Sequence, residues 1–179
     1  MTGGLDDATV LALAARDGDP GAQAAFVRRT QAEVWQFTAA LVDTGAADDL
    51  TQETYLRALR ALPAFEGRSS VRTWLLGIAR RVCADHLRAV IRRRRLDARL
   101  AVHAYPQSQM PDPAHRLGTT DLLARLGEER RTAFVLTQVV GLSYAEAADV
   151  AGVPVGTIRS RVARARDELV QALTKAQAS

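Results

Sequence analysis

Apolar residues recur along this chain at the three- and four-residue spacing of amphipathic helices, and strict apolar–polar alternation is nearly absent. The pattern predicts an all-α fold. Gly18-Asp19-Pro20-Gly21 reads as a turn, and a helix follows with Phe26, Val34, Phe37 and Leu41 on its core face. Thr44-Gly45 breaks that helix. A second runs from about Ala47 to Leu62 and stops at Pro63, whose ring removes an amide donor. Gly67-Arg68-Ser69-Ser70 forms a short loop, after which a third, long helix starts near Val71 and continues through Arg92 to Arg95.

Periodicity then lapses. Leu96 to Leu117 reads as an extended linker, with three of the six prolines between Tyr105 and Pro113. Fully extended it reaches roughly 70 Å at ~3.3 Å per residue, comparable to two turns of duplex DNA at about 35 Å each. Four short helices are expected between Gly118 and Lys175. Ser143-Tyr144-Ala145-Glu146 is a capping box, Gly152 ends the helix it opens, Val153-Pro154 turns, and a last helix runs from Val155. Helix, short turn, helix is the helix-turn-helix pattern. The expectation is two small helical domains, 19–95 and 118–175, joined by the linker 96–117 and flanked by an N-terminal segment 1–18 and a tail 176–179.

With 47% hydrophobic and 25% charged residues, the chain has the composition of a soluble globular protein. No run approaches the ~18 apolar residues of a membrane span. Met1 to Asp7 lacks the basic and apolar stretches of a secretory signal, which points to the cytoplasm and to no membrane insertion. A single cysteine, Cys83, excludes a disulfide scaffold and a multi-cysteine zinc site, and no metal or cofactor is expected. The net charge of +4 permits nucleic-acid binding. All the basic residues except Lys175 are arginines. A GC-rich genome accounts for that preference but not for where the arginines sit.

On the last helix, Val155, Ile158, Val162, Ala165 and Leu169 fall within about 80° of one another and form the buried stripe. Gly156, Arg159, Ser160, Ala163 and Arg164 occupy the opposite face, with Arg161 and Arg166 flanking the stripe. Small residues let a backbone approach a major groove, arginine pairs bidentately with guanine, and alanine touches a thymine methyl. The flanking arginines suit phosphates. A solvated basic face would look similar, and the capped helix and turn just upstream favour the reading of a recognition helix.

On the long helix, Leu75, Ile78, Val82 and Ala89 share one side, while Arg81, Arg88, Arg92 and Arg95 make a basic ridge on another. Such a ridge suits a nucleic-acid backbone. Trp35, Phe37, Phe65 and Trp74 sit at apolar-periodic positions and are read as core. Asp48, Asp49, Gln52 and Glu53 crowd the start of the second helix, where the helix dipole favours acids. That surface cannot face DNA and is alternatively a docking site for a basic protein. Cys83, His86, His103 and His115 are the only candidate nucleophilic or imidazole groups, and no third partner or Gly-rich loop assembles them into a catalytic site. A repressor or activator that uses the second block on palindromic DNA is the main alternative these features leave open.

Asp48-Asp49-Leu50-Thr51-Gln52-Glu53-Thr54-Tyr55-Leu56-Arg57 resembles region 2.2 of bacterial sigma factors. Phe65 through Arg88, with Arg72-Thr73-Trp74-Leu75, is similar to regions 2.3 and 2.4. Leu142 to Ala148 together with Pro154 to Arg166 resembles region 4.2 of the extracytoplasmic-function group, nearest its sigma-C-like members. The resemblance implies a non-catalytic subunit that joins core RNA polymerase and directs it to promoter DNA. Asp48, Asp49, Gln52 and Glu53 would dock on the clamp helices of the largest polymerase subunit. Arg68, Ser69, Ser70, Arg72, Arg80, Arg81 and Arg88 would capture an extruded −10 base and help melt the duplex. Arg159, Ser160 and Arg164, with Gly156, Thr157, Arg161 and Ala163 around them, would read the −35 element. Many members are held inactive by an anti-sigma factor, which makes such a protein a candidate partner.

Overall fold

The computed structural model describes residues 6–101 and 119–177, all helix, turn and loop. Residues 102–118, which hold most of the expected linker with His103 and His115, lie outside the described residues, as do 1–5 and 178–179.

Four helices build the first body. α1, Asp7–Ala15, begins at Asp6, whose carboxylate accepts the Thr9 amide, and buries Ala8, Thr9, Ala12 and Ala15. α2, Pro20–Leu41, opens with Asp19 as cap and Pro20 in the first turn, where a missing donor costs nothing. Asp43 caps α3, Thr44–Ala61, which ends in a short 3₁₀ turn at Leu62–Ala64. α4 runs Val71–Ala101. It therefore takes in Leu96 to Ala101, which were expected in the linker; arginine, leucine and alanine are strong helix formers and no glycine or proline interrupts them. α1 falls in the segment left outside the first block by periodicity, because its inward face is mostly alanine and carries little hydrophobic contrast.

The first core is formed by Phe26, Val34, Phe37 and Leu41 of α2 against Leu50, Tyr55 and Ala58 of α3 and Val71, Leu75, Leu76 and Val82 of α4. Phe26 and Tyr55 meet edge to face at 6.2 Å between ring centres. The Thr30 hydroxyl donates to the Phe26 carbonyl (2.8 Å), so the Tyr55 hydroxyl donates to Thr30 (2.7 Å). Burial pushes the Tyr55 phenol up to about 12, and it stays a neutral donor.

The second body contains α5 (Thr119–Ala124), α6 (Glu128–Phe134) widening into a π turn at Val135–Val139, α7 (Tyr144–Ala151) and α8 (Val155–Gln177). Gly141, at φ +79°, lets the Leu142 amide reach back to the Leu136 carbonyl at 2.9 Å. Ser143 and Glu146 form the expected capping box. Gly152 ends α7 in the left-handed conformation. Leu136, Leu142, Val150, Ile158, Val162 and Ala165 fill this core, and the buried apolar cluster is continuous with that of the first body.

Candidate nucleic-acid interface

α8 is positioned by its buried stripe. Ile158, Val162 and Ala165 are fully enclosed against α6 and α7. Gly156, Arg159, Ser160, Ala163 and Arg164 are therefore exposed on the far side. The Ser160 hydroxyl donates to the Thr157 carbonyl at 3.0 Å, and the Thr157 amide donates to the Pro154 carbonyl at 2.9 Å, closing the first turn. Arg159 and Arg164 point into solvent with small neighbours, the geometry a groove-reading helix needs. Val155, expected in the stripe, is 39% exposed, since it opens the helix ahead of the packed turns. The flanking arginines are committed within the body: Arg161 pairs with Glu129 at 2.6 Å and Arg166 donates to the Gln138 side chain at 2.7 Å.

The 67–70 loop leads into α4. Gly67 adopts φ +71°, Arg68 extends to Glu66 at 3.0 Å, and Arg68 and Ser69 are exposed. Ser70 accepts the Thr73 amide at 3.2 Å and so caps α4. Phe65 and Trp74 stack obliquely at 5.0 Å beneath the loop. Arg81, Arg88, Arg92 and Arg95 form an exposed basic ridge along α4.

Arg72 and Arg80 behave differently. Arg72 donates to Glu33 of α2 and to the Val140 carbonyl at 2.7 Å. Arg80 donates to the Val150 carbonyl at 3.0 Å. Both carbonyls belong to the second body. Arg131 of α6 makes the reciprocal contact, donating to the Leu41 carbonyl at the end of α2 at 2.8 Å. The last carbonyls of a helix lack intrahelical partners and sit at its negative end, so guanidinium groups suit them. Burial lowers the pKa of Arg80 and Arg131, whereas the Glu33 hydrogen bond raises that of Arg72. Two residues read from the sequence as −10 contacts thus tie the two bodies together, while the exposed face of α8 stays free.

On α3, Asp49 and Gln52 are exposed. Asp48 accepts the Trp35 indole N–H at 2.7 Å, and Trp35, read as core, is 40% exposed. Its polar edge explains the difference: the ring lies along the surface with its N–H on a carboxylate. Glu53 pairs with Arg57 at 2.7 Å, which reaches Asp85 of α4 at 2.9 Å, so the acidic helix and the basic ridge are braced. Sequence reasoning missed Thr9, Glu33 and Arg131. Thr9 reaches Val71, Glu33 reaches Arg72 and Arg131 reaches Leu41, each at least 39 residues away, and no spacing signals those contacts.

Cys83 is buried, and burial pushes its thiol up to about 12, which leaves it without nucleophilic thiolate at neutral pH. No cluster of His, Cys, Asp or Glu able to hold a metal occurs among the described residues. No described helix is long and apolar enough to cross a membrane.

The model of sigma-70 region 2 matches residues 26–95, and that of sigma-70 region 4 matches 118–169. The chain belongs to the sigma-70 family, in its extracytoplasmic-function branch, and is an alternative sigma factor that directs promoter-specific transcription initiation. It is 52% identical over 168 residues to the probable RNA polymerase sigma-C factor of Mycobacterium bovis, covering 90% of this chain and 89% of that one. It is 32% identical over 173 residues to the ECF RNA polymerase sigma-E factor of Escherichia coli, covering 89% and 91%. Among solved structures, CnrH in complex with the cytosolic domain of CnrY superposes with a TM-score of 0.72 at 26% identity, covering 94% of this chain and 99% of CnrH. The sigma factor RpoE of Bartonella quintana, in complex with the anti-sigma factor NepR, superposes at 0.62 with 28% identity, covering 83% and 94%. The region 2 match sets aside a repressor or activator that uses the second block on palindromic DNA.

Proposed function

We propose a division of labour among three surfaces. Asp48, Asp49, Gln52 and Glu53 on α3 dock on the clamp helices of core polymerase. The loop Arg68–Ser70, with Arg72, Arg80, Arg81 and Arg88 of α4, receives an extruded −10 base and its flanking phosphates. Gly156, Thr157, Arg159, Ser160, Arg161, Ala163 and Arg164 present α8 to the −35 element, with Arg159 and Arg164 on base edges and Arg161 bracing the helix through Glu129. The observation that supports this most directly is α8 itself: a fully buried stripe at Ile158, Val162 and Ala165 turns two arginines and three small residues outward from a capped helix-turn-helix.

Base extrusion costs a few kcal/mol, so the −10 surface needs binding energy from elsewhere. The −35 helix and the polymerase supply it. In the packed arrangement Arg72 and Arg80 are engaged with Val140 and Val150, so −10 reading requires the two bodies to part. The protein works in the cytoplasm, on the nucleoid when part of the holoenzyme, as a specificity subunit without catalysis of its own. A protein of the anti-sigma kind is a further partner; the Bartonella neighbour was solved with one. In vitro transcription with core polymerase on genomic fragments tests the reading: start sites sharing spaced −35 and −10 elements are expected. Failure of the chain to join core polymerase, or to start RNA once joined, refutes it.

A further inference from the structure

α1 lies ahead of the segment matched by the region 2 family model and belongs to none of the three surfaces that dock polymerase or read the promoter. It nonetheless holds the end of the reading loop and lies beside its start. The first amides of α4 have no partner four residues back. Ser70 takes the Thr73 amide from within the loop. The Val71 amide is taken instead by the Thr9 hydroxyl of α1, at 3.0 Å and 62 residues distant in sequence. Thr9 is 1% exposed.

The hydroxyl's single proton has a defined destination. Asp6 Oδ2 lies 2.6 Å away and, ionised, can only accept, so Thr9 donates to Asp6 and turns a lone pair to Val71. The other Asp6 oxygen accepts the Thr9 amide at 3.0 Å, which locks the pair in register with α1. At the loop's other end, Leu13 stands beside the left-handed turn: a Cβ placed on Gly67 would lie 3.8 Å from its Cδ2. The relay Asp6–Thr9–Val71 thus ties α1 to the end of the loop, with Leu13 beside its start.

We propose that Thr9, oriented by Asp6, is a positioning residue for −10 recognition: it holds the start of α4, and with it Arg68 to Ser70, in the shape that receives the extruded base. This rests on the loop being the −10 reader. Thr9→Val keeps the volume and removes the hydroxyl, while Thr9→Ser keeps the hydroxyl. Holoenzyme carrying each variant is assayed for open-complex formation on a promoter panel substituted singly at every −10 and −35 position, alongside core-binding affinity.

Thr9→Val is expected to flatten −10 base preference and slow opening roughly tenfold, the effect of leaving a buried amide without its acceptor. Core affinity and −35 preference should be unchanged, and Thr9→Ser should restore the parental profile. Parental −10 preference in Thr9→Val, no rescue by serine, or an equal loss of −35 preference would each overturn the proposal. If Thr9→Val fails to fold, Asp6→Ala, at an exposed position, carries the same test with a smaller expected change, and a parental −10 profile there overturns it. Arg68→Ala with Ser69→Ala separates the two levels. If that pair leaves −10 preference intact, the loop reading itself falls and the proposal with it. If the pair relaxes preference and Thr9→Val does not, only the positioning role is lost.

Discussion

Replacing Arg72 with Met should shift the free protein from closed toward open. The methionine keeps the aliphatic stem and removes the guanidinium. Two contacts are lost, but they count differently. The Glu33 pair joins α2 to α4 inside one body and exists in both arrangements, so it does not bias them. The bond to the Val140 carbonyl at 2.7 Å crosses between bodies and exists only when they are packed. A hydrogen bond from a charged donor contributes about 1.5–3 kcal/mol when well buried. The Arg72 side chain is 33% exposed, so solvent screening discounts that figure. A residual of about 1 kcal/mol corresponds to a roughly fivefold change in the open-to-closed ratio. Single-molecule energy transfer between dyes on Gln36→Cys of α2 and Gln171→Cys of α8, both exposed positions, reads that ratio directly. The native Cys83 does not compete for dye, being 1% exposed with its thiol pushed up to about 12. Salt is raised until both populations are resolved, and the ratio is compared at equal salt. An open fraction unchanged within a factor of two, with helix content preserved, refutes the assignment of this contact to the joint.

Three further outcomes are expected. Arg159→Ala should cost ~1–3 kcal/mol in holoenzyme binding to a −35-dependent promoter and relax preference at one base pair, measured by competition against single-base variants; Arg161→Ala, which loses a pair to the 74%-exposed Glu129, should change stability by under about 1 kcal/mol and leave preference in place. Asp49→Arg with Glu53→Arg should abolish co-purification with core polymerase while thermal unfolding stays cooperative, because neither carboxylate is buried. The Ser143 side chain, and then the Ser143 amide, hold the Glu146 carboxyl below its ordinary value of 4.5. A depressed folded value means its contribution is complete above the ordinary value and lost as pH falls through the folded one. Urea midpoints of the parent should therefore drop more between about pH 6 and pH 3 than those of Glu146→Gln, and parallel curves would contradict the capping box as a source of stability.

Much of the site could be read in one dimension. The outward face of α8 follows from its own period, since a helix that buries Ile158, Val162 and Ala165 has no choice about where Arg159, Ser160 and Arg164 point. The capping box and Gly152 set the bounds of α7 from local hydrogen-bond chemistry alone. The ridge from Arg81 to Arg95 and the acids of α3 are visible for the same reason, since charge placed at helical spacing stays on one face whatever the helix packs against; α3 starts at Thr44, a turn earlier than the sequence suggested, so those acids lie beyond its first turn. Hidden from such reading were the partners of long side chains. Arginine spans several ångströms and donates in a fork, so spacing says which face it leaves from and not which surface it reaches. Arg72 and Arg80, read as −10 contacts, close on backbone carbonyls of the other body. Neither Arg131 nor Thr9 gave a signal; only folding set the Thr9 hydroxyl against the Val71 amide at the start of α4. Periodicity and capping, which act within a few residues, were sufficient to find α2, α3, α4, α7 and α8 and their outward chemistry, but not the alanine-faced α1 or the far end of α4. Satisfying the leftover donors and acceptors at helix ends is a long-range problem, and only the packed tertiary structure decided which side chain solved it.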